Sequence, residues 1–197
     1  MYSLTQNEAR VMDFLVRHFK ERNSINEIGR KLDLSPRGIY KILKKLEKIK
    51  AIEPEKIGNG IYYKVNLEEE IGIKLSELVL VQNELNAYAQ VQVEDLEKLK
   101  DVALSCVLYG SVLKKGREAK DIDIIIILEK KNFKKVNKKL EEIKSINPKK
   151  IHDIMMTKED LAGNLRKNNA AMIDMIKNGK ILWGSEIIVE AIKNGAS

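Results

Sequence analysis

The chain has 197 residues but only one cysteine, one tryptophan, two histidines and three prolines. A lone Cys106 excludes an internal disulfide framework and a thiolate zinc site, and it suits a reducing compartment. His18 and His152 stand far apart with no metal-ligand spacing between them. No apolar run approaches the roughly 18 residues that a membrane-spanning helix needs, and "IDIIIIL" is far too short. The opening "MYSLTQNEAR" lacks the apolar core of a secretory signal, so a cytoplasmic protein with no membrane partner is expected. Three prolines and 11 glycines beside 33% charged residues exclude a linker-like or low-complexity chain.

What is present is charge in blocks. The net charge is +7, with residues 1–66 and 102–197 basic and residues 67–101 acidic. Basic blocks suit partners that carry phosphate, although a solvated surface has the same composition. The length fits two small domains, each with its own core.

In the first block, Thr5 with Glu8 and Ser24 with Glu27 match the S/T-x-x-E capping box, which predicts two helix starts. Ser35-Pro36 predicts a third, with Ser as N-cap and Pro in the first turn. Behind it Ile39, Ile42, Leu43, Leu46 and Ile49 recur at three and four, the period of one helical face. Arg37, Tyr40, Lys41, Lys44, Lys45 and Lys48 fall on the opposite face or its flanks. "AIEPEKIGNGIYYKVN" then predicts two strands around Gly58-Asn59-Gly60. Three short helices and a hairpin resemble a winged helix-turn-helix domain, here residues 1–66. The resemblance implies a DNA-binding helix whose Arg37, Tyr40, Lys41, Lys44 and Lys45 meet duplex DNA while Lys56 and Lys64 lie on the wing. A helical interaction domain with solvated lysines is the alternative.

Residues 67–96 predict a helical linker. Ile71, Leu75, Leu78, Val81, Leu85 and Tyr88 form a stripe that must be covered, either by both domains or by a second copy in a homodimer.

The third block, 97–197, holds the carboxylates. "VALSCVLYG" predicts a buried strand ending in Gly110-Ser111, and "DIDIIIIL" predicts another. Alternation places Asp121 and Asp123 on one face, where two adjacent like charges call for a cation. A divalent metal with oxygen ligands fits, and it commonly bridges to substrate phosphates. "NFKKVNKKLEEIKSI" predicts a helix, and "KKIHDIMMT" a strand with Asp153 as the third acid. His152 is expected on the opposite sheet face, away from any catalytic role. Gly110 permits close approach of a phosphate, and Lys114, Lys115 and Arg117 follow it.

Gly110-Ser111, Asp121-Ile122-Asp123 and Asp153 resemble the hG-S…D-x-D…h-D-h signature of the polymerase-β-like nucleotidyltransferases, in particular the minimal archaeal and bacterial ones, over roughly residues 97–190. The resemblance implies an α+β fold with a small mixed sheet. It implies that Asp121 and Asp123 bind two Mg²⁺ ions and that Asp153 serves as a further metal ligand or as the base that activates the attacking hydroxyl. Gly110, Ser111, Lys114 and Lys115 would hold the phosphates of an NTP, with ATP the expected donor. It further implies transfer of a nucleoside monophosphate to a hydroxyl of a protein or small molecule, with release of pyrophosphate. The sequence departs from the minimal members' G-S-x-A-R-G at Val112-Leu113-Lys114-Lys115-Gly116. An alternative is a winged-helix transcription regulator whose second domain senses nucleotide without catalysis.

Overall fold

The computed structural model describes residues 3–81 and 84–195, and the chain divides into two compact units, one ending at Leu80 and the other beginning at Val81. Among the described residues no helix is long and apolar enough to cross a membrane.

The first unit opens with α1 (Gln6–Arg17), followed by β1 (Asn23–Ser24), α2 (Ile25–Leu32) and α3 (Pro36–Lys48). Both expected capping boxes form, Thr5 with Glu8 and Ser24 with Glu27. Ser35 accepts from the Gly38 amide at 3.1 Å, with Pro36 in the first turn of α3. Asp33 takes the left-handed conformation at the end of α2 (φ 54°), so the chain reverses into α3 over three residues. This is a helix-turn-helix. Strands β2 (Ile52–Ile57) and β3 (Gly60–Val65) form the hairpin, and β1 joins it in the order β1-β3-β2. Gly58, in the hairpin turn, has φ +58°, a conformation open to glycine at no steric cost. Val11, Met12, Leu15, Ile28, Ile39, Leu43, Leu46 and Ile52 are all essentially fully buried.

The predicted stripe from Ile71 to Tyr88 divides between the two units. Helix α4 (Glu70–Leu80) packs against α1, burying Leu75, Val79 and Leu80. Helix α5 (Ala87–Leu96) starts afresh because the Asn86 side chain caps it, accepting from the Ala89 amide at 2.9 Å. The same Asn86 amide donates to the carbonyls of Val112 and Leu113, which fixes the start of α5 within the second unit. Gln82 and Asn83 of the predicted linker lie outside the described residues.

The second unit continues with β4 (Ser105–Tyr109), α6 (Val112–Lys115), β5 (Asp121–Ile127), α7 (Phe133–Ile146) and β6 (Lys150–Met156). It ends with α8 (Lys158–Arg166), α9 (Ala170–Asn178), β7 (Lys180–Trp183) and α10 (Ser185–Gly195). The sheet order is β6-β5-β4-β7, with β5 and β6 parallel and the other pairs antiparallel. Ile122, Ile124 and Ile126 face Val136, Leu140 and Ile143 of α7 in one core. Their alternates Ile125 and Ile127 are buried too. Burial of both faces is why β5 reads as an unbroken isoleucine run rather than an alternating one.

The architecture is mixed α+β with two small sheets, as the sequence implied. Ile124 lies wholly inside this core, so Ile124→Ala is expected to destabilise the second unit by about 2–5 kcal/mol. Urea unfolding followed by circular dichroism checks it, and a loss below about 1 kcal/mol contradicts the packing described.

Candidate functional site

Two surfaces carry the residues singled out above, one in each unit. On α3, Arg37, Tyr40 and Lys41 are exposed, Tyr40 to 49%, and Lys56 is exposed on β2. The remaining two lysines are held within the unit. Lys44 pairs with Glu47 at 2.7 Å, and that bond raises its pKa. Lys45 pairs at 2.7 Å with Glu8, whose side chain is only 6% exposed. Burial pushes the Glu8 carboxyl up, but its bonds from Lys45 and Thr5 outweigh that and hold it below the usual range. Lys45 therefore couples α3 to α1, and Arg37, Tyr40, Lys41 and Lys56 remain as the outward set.

In the second unit, the first residue of β5 is Asp121, and the parallel register sets Asp121 beside Lys150, Asp123 beside His152 and Ile124 beside Asp153. Side-by-side residues in parallel strands share a face. Asp121, Asp123 and His152 consequently converge, with one ligand atom from each lying within 4.8 Å of the others. His152 Nδ1 is 3.6 Å from an Asp121 oxygen and 3.5 Å from an Asp123 oxygen.

Asp153 goes to the other face. Its carboxylate lies 2.8 Å from Nζ of Lys144 on α7. That bond is the chief reason the Lys144 pKa is raised. The expected trio of aspartates is thus replaced by two aspartates and the histidine assigned no role. Ile151, Asp153 and Met155 do share a face, as alternation requires; the register against β5 selects which face meets Asp123, and it selects the other one.

Gly110 closes the near side of the cluster. Its φ is +79°, and a Cβ there would fall 2.1 Å from an Asp123 carboxylate oxygen. Only glycine lets the β4 turn lie against that carboxylate. The Tyr109 hydroxyl, next to it, has its pKa raised by burial and secondarily by the Asp123 charge. Ser111 precedes the four-residue α6 without capping it by side chain. Lys114 and Lys115 are exposed and form no salt bridge among the described residues. The loop between α6 and β5 is clamped by Lys149, which donates to the carbonyls of Arg117 and Ala119 and lies 4.9 Å from the Tyr88 ring centre. Cys106 is fully buried, and burial pushes its thiol well up, which rules it out as a nucleophile.

Two carboxylates and an imidazole do not fit the two-magnesium centre implied by the resemblance, which uses three carboxylates. Mg²⁺ takes oxygen ligands, whereas a mixed oxygen and imidazole set suits first-row divalent ions such as Mn²⁺ or Zn²⁺. Asp121, Asp123 and His152 can hold one such ion.

No family model matches the chain, and no curated protein does. Among solved structures, a MepR mutant from a multidrug-resistant S. aureus clinical isolate is similar at 20% identity and a TM-score of 0.38, over 50% of this chain and 73% of that one. A mutant of Lactococcus lactis ZitR is similar at 19% identity and a TM-score of 0.31, over 50% of this chain and 75% of that one. Likenesses of this degree leave the assignment of fold to the chain's own geometry.

The different employment of the α3 lysines has a measurable consequence. Lys45→Met leaves Glu8 buried without its partner and is expected to cost about 1–2 kcal/mol in urea unfolding. Lys41→Met is expected to stay within about 0.5 kcal/mol, as at other exposed positions. Equal effects contradict the division of labour on α3.

Proposed function

We propose that the chain is a DNA-binding regulator of the winged-helix type whose second unit binds nucleotide with a divalent cation and does not transfer it. The observation that carries the first part is the outward set Arg37, Tyr40 and Lys41 on the second helix of a helix-turn-helix, with Lys56 on the adjoining hairpin. A major groove admits one helix, whose first turns meet base edges while flanking cations contact phosphates. Arg37 and Tyr40 lie in the first turns of α3 and Lys41 follows on the same side. Pairing of two copies, which would match a two-fold operator, has α4 as its natural element, since Leu78 is 47% exposed there.

For the second unit, Gly110, Ser111, Lys114 and Lys115 beside Asp121 and Asp123 support a site for the phosphates of an NTP such as ATP, with a first-row divalent ion such as Mn²⁺. Transfer chemistry is disfavoured because Asp153, the expected base, faces α7 in an ion pair with Lys144. The acceptor hydroxyl implied by the resemblance then has no part to play. The unit acts as a sensor whose occupancy changes DNA affinity.

Fluorescence anisotropy on a mixed-sequence duplex tests the first part. Binding at about 50 mM salt is expected to weaken steeply by 200 mM, and Arg37→Ala with Lys41→Ala is expected to lower affinity at least tenfold. Affinity unchanged by that pair sinks the DNA reading. For the second part, ATP with divalent cation is expected to shift DNA affinity while remaining intact. Release of pyrophosphate, abolished by Asp121→Asn, would restore the transferase instead.

A further inference from the structure

The β5–α7–β6 unit has two ends. Its amino end carries Asp121, Asp123 and His152, and its carboxyl end, one strand length or about 20 Å away, opens into a groove of about 1080 Å³. Crevices outside the carboxyl ends of parallel strands are where open sheets bind ligands, because the crossover helix and the following loop diverge there. Its apolar lining consists of Leu104, Leu128, Phe133, Met155 and Met156. Phe133, the first residue of α7, is 52% exposed, a large ring left to water at the mouth of a cavity. The two methionines are half-buried and can adapt to a flat body laid over them.

The rim carries charge that the unit itself only partly satisfies. Lys131 pairs with Glu129 at 2.6 Å, and Lys158 with Glu190 at 3.2 Å. The Asp160 carboxylate accepts from the amide and hydroxyl of Thr157, capping α8. Those bonds lower its pKa, and the nearby charge of Lys130 adds to the effect. Lys130 and Lys134 form no salt bridge among the described residues; of the acids beside them Glu129 is paired with Lys131, while Asp160, engaged by Thr157, and Glu159 form none. Helix α7 also opens with no acid in its first turn and no side-chain cap from Asn132. Lysines at the positive end of a helix repel it, and a bound anion relieves that repulsion.

We propose that this groove binds a small organic anion with a flat apolar body, its anionic group held by Lys130 and Lys134 and its body lying against Phe133, Met155 and Met156. The site is separate from the carboxylate cluster, and it does not depend on the DNA-binding function.

Isothermal titration of the full chain with 2-naphthoate, and with 2-naphthamide as a neutral ligand of the same shape, tests it. Saturable one-to-one binding is expected, with naphthoate at least tenfold tighter. Lys130→Ala with Lys134→Ala should abolish that preference, and Phe133→Ala should weaken both ligands about tenfold. Asp121→Asn with Asp123→Asn should change neither. Absence of saturable binding, equal affinity for the two ligands, a preference that survives the lysine pair, or loss of binding in the aspartate pair would each overturn the proposal.

Discussion

The parallel pairing of β5 with β6 fixes most of what the second unit can do. Asp123 lies beside His152 and Ile124 beside Asp153, so a single register sends His152 to the face of the two aspartates and Asp153 to the other. A slip of one residue would exchange them, since side chains alternate with period two. The slip is opposed by packing: Ile151 is buried beside Ile122 in the α7 core, and moving it to the open face would leave a charged or polar neighbour in its place. The ion pair of Asp153 with Lys144 adds to the same preference. The composition of the carboxylate site thus follows from hydrophobic packing on the opposite face.

Much of the local structure was legible. Capping boxes at Thr5 and Ser24, the Ser35-Pro36 start, the hairpin at Gly58 and the strands around Gly110-Ser111 and Asp121 all depend on residues near one another in sequence, where side-chain chemistry and backbone geometry are coupled directly. Interactions between distant segments were not legible. Nothing near Lys45 announces Glu8, and nothing near Asp153 announces Lys144. The stripe from Ile71 to Tyr88 read as one helix because periodicity does not register a fresh start; the signal was Asn86, an N-cap residue in the middle of the pattern. Parity correctly placed His152 on the opposite face from Asp153, but the face that meets Asp121 and Asp123 turned out to be that of His152, because parity within a strand says nothing about the neighbour's register.

Charge in this chain is sorted by pairing rather than by sign. Along α3, Lys44 and Lys45 are bound to Glu47 and Glu8, while Arg37 and Lys41 project outward. Around the carboxyl end of β5 the same distinction separates Lys131 and Lys158 from Lys130 and Lys134. A basic block seen only as composition merges the two kinds. The cations without a salt bridge among the described residues are those with charge to offer a phosphate or another anion, and the exposed rings Tyr40 and Phe133 are near them in sequence.

Nuclear Overhauser contacts in the labelled protein measure the register of β5 and β6. Contacts from the His152 ring to the Asp123 methylene, together with contacts from the Asp153 methylene to the Lys144 side chain, are the predicted result. Contacts between the methylenes of Asp153 and Asp123, with the His152 ring near α7, would contradict it and return three carboxylates to one face.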